Sequence, residues 1–278
     1  MGKKILIAYG TENFIDTLKR IGKEAKKLGV FDGVRLYTPN DLPLYIKASP
    51  LMAFKKGGGY WLWKPYIIWK TLQDCKEDDI VVYVDAGCVL RQSQEWKQYL
   101  DQMENYNTIL FHYREDFDYK WGEYWTYNST KIKYWTKKST LRYFDDMFQN
   151  IQWREYNKIL GGFIITKGKN NQFIKEWLTI SLMRPELIID PFGKEVIEQT
   201  VFFNEHRHDQ SIITPLAYFY LSKEKILILP ETSESQRRTA AVAAERIRNI
   251  HKPYKTIIRF VKSLIGENLY HKLLFWRD

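Results

Sequence analysis

The chain has 278 residues, 45% of them apolar and 16% aromatic, and a formal net charge of +10. That length suits one large α/β domain or one and a half domains, with room for a sizeable core. Two cysteines, Cys75 and Cys88, are too few for a disulfide framework or a zinc site and imply reduced thiols in a cytoplasmic setting.

In chain order, Lys3–Tyr9 reads as a first strand with no apolar leader before it. Phe14, Leu18, Ile21, Ala25 and Leu28 then recur at helical spacing until Gly29. Asp32–Tyr37 is a second strand, and residues 38–59 are punctuated by Pro and Gly. Trp61–Leu72 reads as a helix entered near Pro65, a first-turn proline. Residues 79–87, Asp-Ile-Val-Val-Tyr-Val-Asp-Ala-Gly, hold a β-branched apolar run, the pattern of a strand buried on both faces. Ser93–Tyr106 is an amphipathic helix with Ser93 as N-cap, and Thr108–Tyr113 a strand. This alternation predicts a parallel sheet with right-handed crossovers.

The second half is less regular. Residues 114–157 are dense in Trp, Tyr and Lys with weak periodicity. Lys158–Thr166 contains a strand carrying Gly161-Gly162-Phe163, Asn170–Met183 is a helix, His208–Tyr220 a helix, and Lys225–Leu229 a short strand. The expected division is a domain over 1–230 and a basic, amphipathic, helical tail over 231–278. No run approaches the ~20 apolar residues that span a bilayer.

Asp85 is the most informative residue. A carboxylate at the C-terminal end of a central parallel strand points into the crevice where open α/β sheets bind ligands. There it can hold a divalent metal, which can hold a diphosphate; the alternative is an acid that caps a loop. The aromatic excess suits flat ligands such as bases and sugar faces.

Four segments together resemble the GT-A glycosyltransferases, which use nucleotide-diphosphate sugars. They are residues 57–65 (Gly-Gly-Gly-Tyr-Trp-Leu-Trp-Lys-Pro), Tyr83-Val84-Asp85-Ala86-Gly87, Gly161-Gly162-Phe163-Ile164 and His208-Asp209-Gln210-Ser211. The resemblance covers about residues 3–230 and is nearest to bacterial enzymes that build capsule, lipopolysaccharide and other surface glycans. It implies a Rossmann-like GT-A fold with a mostly parallel central sheet flanked by helices. It also implies hexosyl transfer to a hydroxyl of a glycan or lipid-linked acceptor, a retaining outcome being favoured.

In that family an Asp-x-Asp motif ends a central strand, and its last Asp binds a divalent ion, usually manganese. Asp85 matches the first acid, and Gly87 stands at the third position. The resemblance therefore implies Mn2+ or Mg2+, with Asp85 as a ligand and Gly87 costing the site its partner. His251-Lys252-Pro253 resembles a late His…Lys-Pro element, with His251 as a second ligand and Lys252 as a phosphate contact.

The same resemblance places Ala8, Tyr9, Gly10 and Thr11 around the nucleobase and ribose, with Asp85, Ala86 and Gly87 beside them. It gives Lys64 a diphosphate contact, and Gly161 and Gly162 room for a pyranose. Asp209 and Gln210 are the catalytic candidates, Asp209 binding donor hydroxyls or acting as a base. Close strand–helix packing at Gly161-Gly162 and helix capping by Asp209 are the alternatives. Gly57–Gly59 permit close backbone approach or a lid; they are no Walker loop.

Trp121, Glu123 and Trp125 are acceptor candidates, indoles for sugar C–H faces and a carboxylate for hydroxyls; a buried aromatic cluster is the other reading. In the tail, Ile257, Ile258, Val261, Leu264, Ile265 and Leu269 share one helical face among Lys255, Arg259 and Lys262. Such a helix can lie on an anionic membrane surface, placing the enzyme peripherally on its inner face, or dock on the domain. From Thr232 onward there are ten Lys or Arg against four Asp or Glu. Without a nucleic-acid motif this does not point to nucleic acid. The competing function is a non-catalytic carbohydrate-binding protein, for which Gly87 is the best support; a sugar-phosphate nucleotidyltransferase would need an Arg-Lys glycine loop after the first strand.

Overall fold

The computed structural model describes residues 2–119 and 129–247. Its strands are β1 (Lys4–Tyr9), β2 (Gly33–Tyr37), β3 (Ile80–Val84), β4 (Val89–Leu90), β5 (Thr108–His112), β6 (Phe163–Thr166), β7 (Ile226–Pro230) and β8 (Val242–Ala243). The longer helices are α1 (Ile15–Leu28), α2 (Trp63–Asp74), α3 (Glu95–Gln102), α4 (Lys138–Phe148), α5 (Gln172–Met183) and α6 (His208–Phe219).

Six strands form one sheet in the order β2-β1-β3-β6-β5-β7. β1 pairs in parallel with β2 and β3, and β5 with β7. β6 runs antiparallel to both β3 and β5. The sheet is thus mostly parallel, as the alternation predicts, with one reversed strand that it does not predict. The reversal sets the site. A strand that starts where its neighbours end brings its first residues against their C-terminal ends, and the Asp85 N–H donates to the Gly162 carbonyl at 2.9 Å. Gly161 and Gly162 accordingly lie just ahead of β6, not within it.

Helices cover both faces. In β1, Ile5, Ile7 and Tyr9 pack toward α2, α4, α5 and α6, while Leu6 and Ala8 pack toward α1 and α3. This is the period-two division of a strand buried on both sides. Ile80–Val84 is buried throughout, as its composition predicts; each such aliphatic side chain contributes about 1.5–3 kcal/mol. Gly29 ends α1 in the left-handed conformation, φ 66°. α3 is shorter than its sequence pattern, and its N-cap is Gln94 rather than Ser93, whose Oγ accepts from Glu95 N at 3.2 Å just ahead of the helix. α4 falls inside the stretch read as weakly periodic; Thr140, Leu141 and Phe144 are its buried positions.

Residues 231–247 return to the domain. β8 pairs antiparallel with β4, and Ala240–Ala244 are buried. Glu231 is buried and accepts from Tyr119 Oη and from the Glu234 N–H. Among the described residues no helix is long and apolar enough to cross a membrane. The amphipathic part of the tail lies outside the described residues, as do Trp121, Glu123, Trp125, His251 and Lys252.

Candidate active site

Four segments converge at the C-terminal edge of the parallel strands. Lys64 enters from the first turn of α2, Asp85 follows β3, Gly161 and Gly162 precede β6, and Asp209 and Gln210 open α6. The Lys64 ammonium is the hub. It lies 2.6 Å from Asp209 Oδ2, 3.0 Å from the Gly161 carbonyl and 3.5 Å from Asp85 Oδ1. The first and second contacts are hydrogen bonds and the third is a looser ion pair. The side chain is only 2% exposed, whereas that of Asp85 is 41% exposed.

Burial alone would push the Lys64 ammonium down; the Asp209 and Asp85 carboxylates outweigh it, and the pKa is raised above that of an ordinary lysine. Asp85 Oδ1 also accepts from the Tyr83 hydroxyl. Burial, then the Asp85 charge, raises the Tyr83 phenol well above its usual range, so it stays a donor. Asp209 Oδ1 accepts from the Gln210 N–H at 2.9 Å. Asp209 therefore serves the helix start with one oxygen and Lys64 with the other.

The two glycines make room for these carboxylates. A Cβ on Gly161 would stand 2.9 Å from Asp209 Oδ2, and one on Gly162 would stand 2.9 Å from Asp85 Oδ2. Close approach to a helix start and space at the carboxylates are one and the same feature here.

Around Asp85, Arg20 donates to the Ala86 and Cys88 carbonyls at 3.1 and 2.7 Å, bracing the loop from behind. Gly87 is covered by main chain: Ile247 N donates to its carbonyl at 3.0 Å, and a Cβ on Gly87 would meet the Ile247 carbonyl at 3.2 Å. On the neighbouring strand, Ala8 is buried inside β1. The Tyr9 ring stacks on Trp63 with centroids 3.9 Å apart, and its buried hydroxyl has no hydrogen-bond partner among the described residues. Gly10 N donates to Tyr37 O, and Thr11 borders Gly58.

Reasoning from sequence missed a neighbouring cluster. The turn Gly57–Tyr60 winds left-handed: φ is positive at Gly57, Gly58, Gly59, Tyr60 and Trp61. For Tyr60 and Trp61 this conformation costs roughly 1–2 kcal/mol per residue. It places Trp61 in a stack with His208, centroids 5.3 Å apart, and sends Tyr60 Oη and Lys56 Nζ to Asp190 at 2.8 Å each. The three glycines were the signal; their handedness was not readable. Lys158 was missed too. It is buried with its ammonium 4.2 Å from the Tyr113 ring centroid and 4.3 Å from that of Trp135, and burial, then Arg207, lowers its pKa well below the usual lysine range.

His206, one turn before Asp209, carries a pH prediction. Its Nδ1 accepts from the Lys137 N–H at 3.2 Å and its Nε2 donates to the Leu187 carbonyl at 2.9 Å. Protonating Nδ1 would turn it against that N–H. Burial holds the imidazole well below its ordinary pKa. The unfolded chain then takes the proton first, so the stability tied to neutral His206 is present above pH ~6.5 and lost as pH falls, by up to about 1.4 kcal/mol per pH unit. Urea midpoints should fall from pH 7.5 to 5.5 in the wild type and fall less in His206→Gln; equal slopes would refute the assignment.

No protein-family model matches the chain, and no curated protein matches it. Among solved structures it is similar to a glycosyltransferase involved in the glycosylation of the major capsid of PBCV-1, with TM-score 0.43 and 9% identity over 82% of each chain. It is also similar to mouse xyloside xylosyltransferase 1, with TM-score 0.40, 8% identity and coverage of 83% of this chain and 86% of that one. A third is the galactosyltransferase LgtC in complex with donor and acceptor sugar analogues, with TM-score 0.37, 11% identity and coverage of 81% and 72%. Likeness at this level concerns the course of the chain and assigns no residue a role.

Proposed function

We propose that this chain is a glycosyltransferase that moves a sugar from a nucleoside-diphosphate sugar to an acceptor hydroxyl. The observation that carries the reading is the convergence of Asp85, Asp209, Gln210 and the glycine pair on one strand edge, held by a buried lysine. Two carboxyl groups beside two glycines suit a polyhydroxylated ring: carboxylates accept from hydroxyls, and absent side chains leave room for the ring.

In the transfer, the bond between the anomeric carbon and the diphosphate oxygen breaks and its electron pair leaves with the diphosphate. A bond to the acceptor oxygen forms, and the acceptor proton passes to the leaving oxygen or to a base. Asp209 orients donor hydroxyls, Gln210 faces the reacting carbon, and Asp85 takes a ribose hydroxyl. The retaining course is favoured by the resemblance of Gly-Gly-Phe and Asp-Gln to retaining enzymes. A glycan or lipid-linked acceptor and a role in surface polysaccharide assembly at the inner face of a membrane belong to the same reading.

The described residues do not fit a divalent ion. Among them no three His, Cys, Asp or Glu side chains form a ligand group. Asp85 Oδ1 is engaged by Tyr83 and Lys64, Gly87 has no carboxylate, and main chain covers its place. No step above is routed through Mn2+ or Mg2+.

A donor screen tests the reading: release of nucleoside diphosphate from a panel of nucleotide sugars, for wild type and Asp209→Asn. One donor should turn over in the wild type, at least about 10²-fold faster than in the variant. Binding of a sugar ligand by calorimetry without turnover of any donor would instead favour the non-catalytic carbohydrate-binding protein, the reading that the covered Gly87 supports. Absence of both would defeat the proposal.

A further inference from the structure

The acid pair already contains a cation. Lys64 Nζ stands between Asp209 Oδ2 and Asp85 Oδ1, at 2.6 and 3.5 Å, with the Gly161 carbonyl at 3.0 Å completing its acceptors. A divalent ion bridging these carboxylates would need its oxygens at about 2.0–2.6 Å and would have to expel the ammonium. Expulsion is opposed from all sides. The side chain is all but sealed from solvent, its ammonium lies 5.9 and 5.4 Å from the Trp63 and Tyr83 ring centroids, and expulsion would forfeit its bonds to Asp209 and Gly161 and its ion pair with Asp85.

The departure at Gly87 fits this arrangement. With main chain over that position, a second side chain enters only if residue 247 gives way, and the cation that a second acid would hold has one ligand fewer. The covering segment carries Arg246. The Arg246 Cα is 3.5 Å from where a Gly87 Cβ would sit, and its guanidinium rests on Glu234 at 3.0 Å.

The geometry points to Lys64 as the resident cation of the acid pair, in the place a bridging divalent ion would take. The two carboxylates are then hydroxyl acceptors and not metal ligands, and donor turnover, on the glycosyltransferase reading, needs no metal. Charge on the departing diphosphate then falls to side-chain cations.

The test needs no sugar donor, so it stands or falls apart from the enzymatic reading. Mn2+ is titrated into the metal-stripped full chain, with the signal of free Mn2+ followed by electron paramagnetic resonance. Melting is measured with and without about 1 mM ion. Wild type should bind no stoichiometric Mn2+ and melt unchanged. Lys64→Ala, which leaves two uncompensated carboxylates, should gain a site and melt about 5 °C higher with Mn2+, as for a site of about 10 μM affinity. A wild-type site that Asp85→Asn abolishes overturns the inference, as does a folded Lys64→Ala that ignores the ion. Should that variant fail to fold, the wild-type titration decides alone. Once a donor is known, turnover unchanged in chelator is expected, and loss in chelator with rescue by Mn2+ refutes the metal-free site.

Discussion

Lys64→Met is expected to lower stability by about 3–5 kcal/mol, the cost of stranding a buried charge whose partner has been removed. Asp209 is the stranded group: it is buried, and its Oδ2 has the Lys64 ammonium at 2.6 Å. Adding Asp209→Asn to Lys64→Met should recover much of the loss, because the uncompensated charge is then gone. The recovery distinguishes electrostatics from packing, since a methionine of similar length preserves the stem. Urea denaturation of the two single variants and the double variant closes the cycle. Additive losses, or a single-variant loss below about 1 kcal/mol, would remove Lys64 as the hub of the site.

Gly161→Ala is expected to cost about 10²-fold in donor turnover while lowering stability by about 1–2 kcal/mol, less than Lys64→Met because the Lys64–Asp209 pair is displaced and not removed. The added Cβ would stand 2.9 Å from Asp209 Oδ2 and 3.4 Å from Gln210 Cγ. The obstacle is a carboxylate tip, which can swing aside, and Gly161 has no positive φ to strain. What is lost is the aim of Asp209, and a reactive geometry misplaced by about 1 Å is enough for a loss of that size. Turnover of the identified donor and a denaturation curve on the same preparation give both numbers. A variant as active as wild type would mean that Asp209 does not orient the donor. An inactive, unstable variant would place Gly161 in the packing alone.

Much of this molecule was legible beforehand because the signals were local. Ile80–Val84 had to be a strand buried on both faces, since five consecutive apolar, mostly β-branched residues leave no polar side to expose. Gly29 had to end a helix and Pro65 had to sit in a first turn, because each follows from backbone conformation at one residue. Asp85 at a strand end, Gly161-Gly162 and Asp209-Gln210 were found as separate segments in the right order. The stretch over 114–157 hid α4, since its few buried positions are set among aromatic and charged residues that blur the helical period.

Sequence by itself determined the residue types at the strand ends, the glycines that admit carboxylates and the loss of the second acid at Gly87. Only the tertiary structure decided what Lys64 does. Its three acceptors come from residues 85, 161 and 209, and no local pattern encodes a distance between side chains so far apart in the chain. The reversal of β6 was likewise a tertiary decision: strand propensity is the same in either direction, and direction is set by where the preceding loop delivers the chain. The left-handed turn at Gly57–Tyr60 completes the division. Three glycines allow it, but it is the Tyr60–Asp190 hydrogen bond and the Trp61–His208 stack that select it from the other conformations glycine permits.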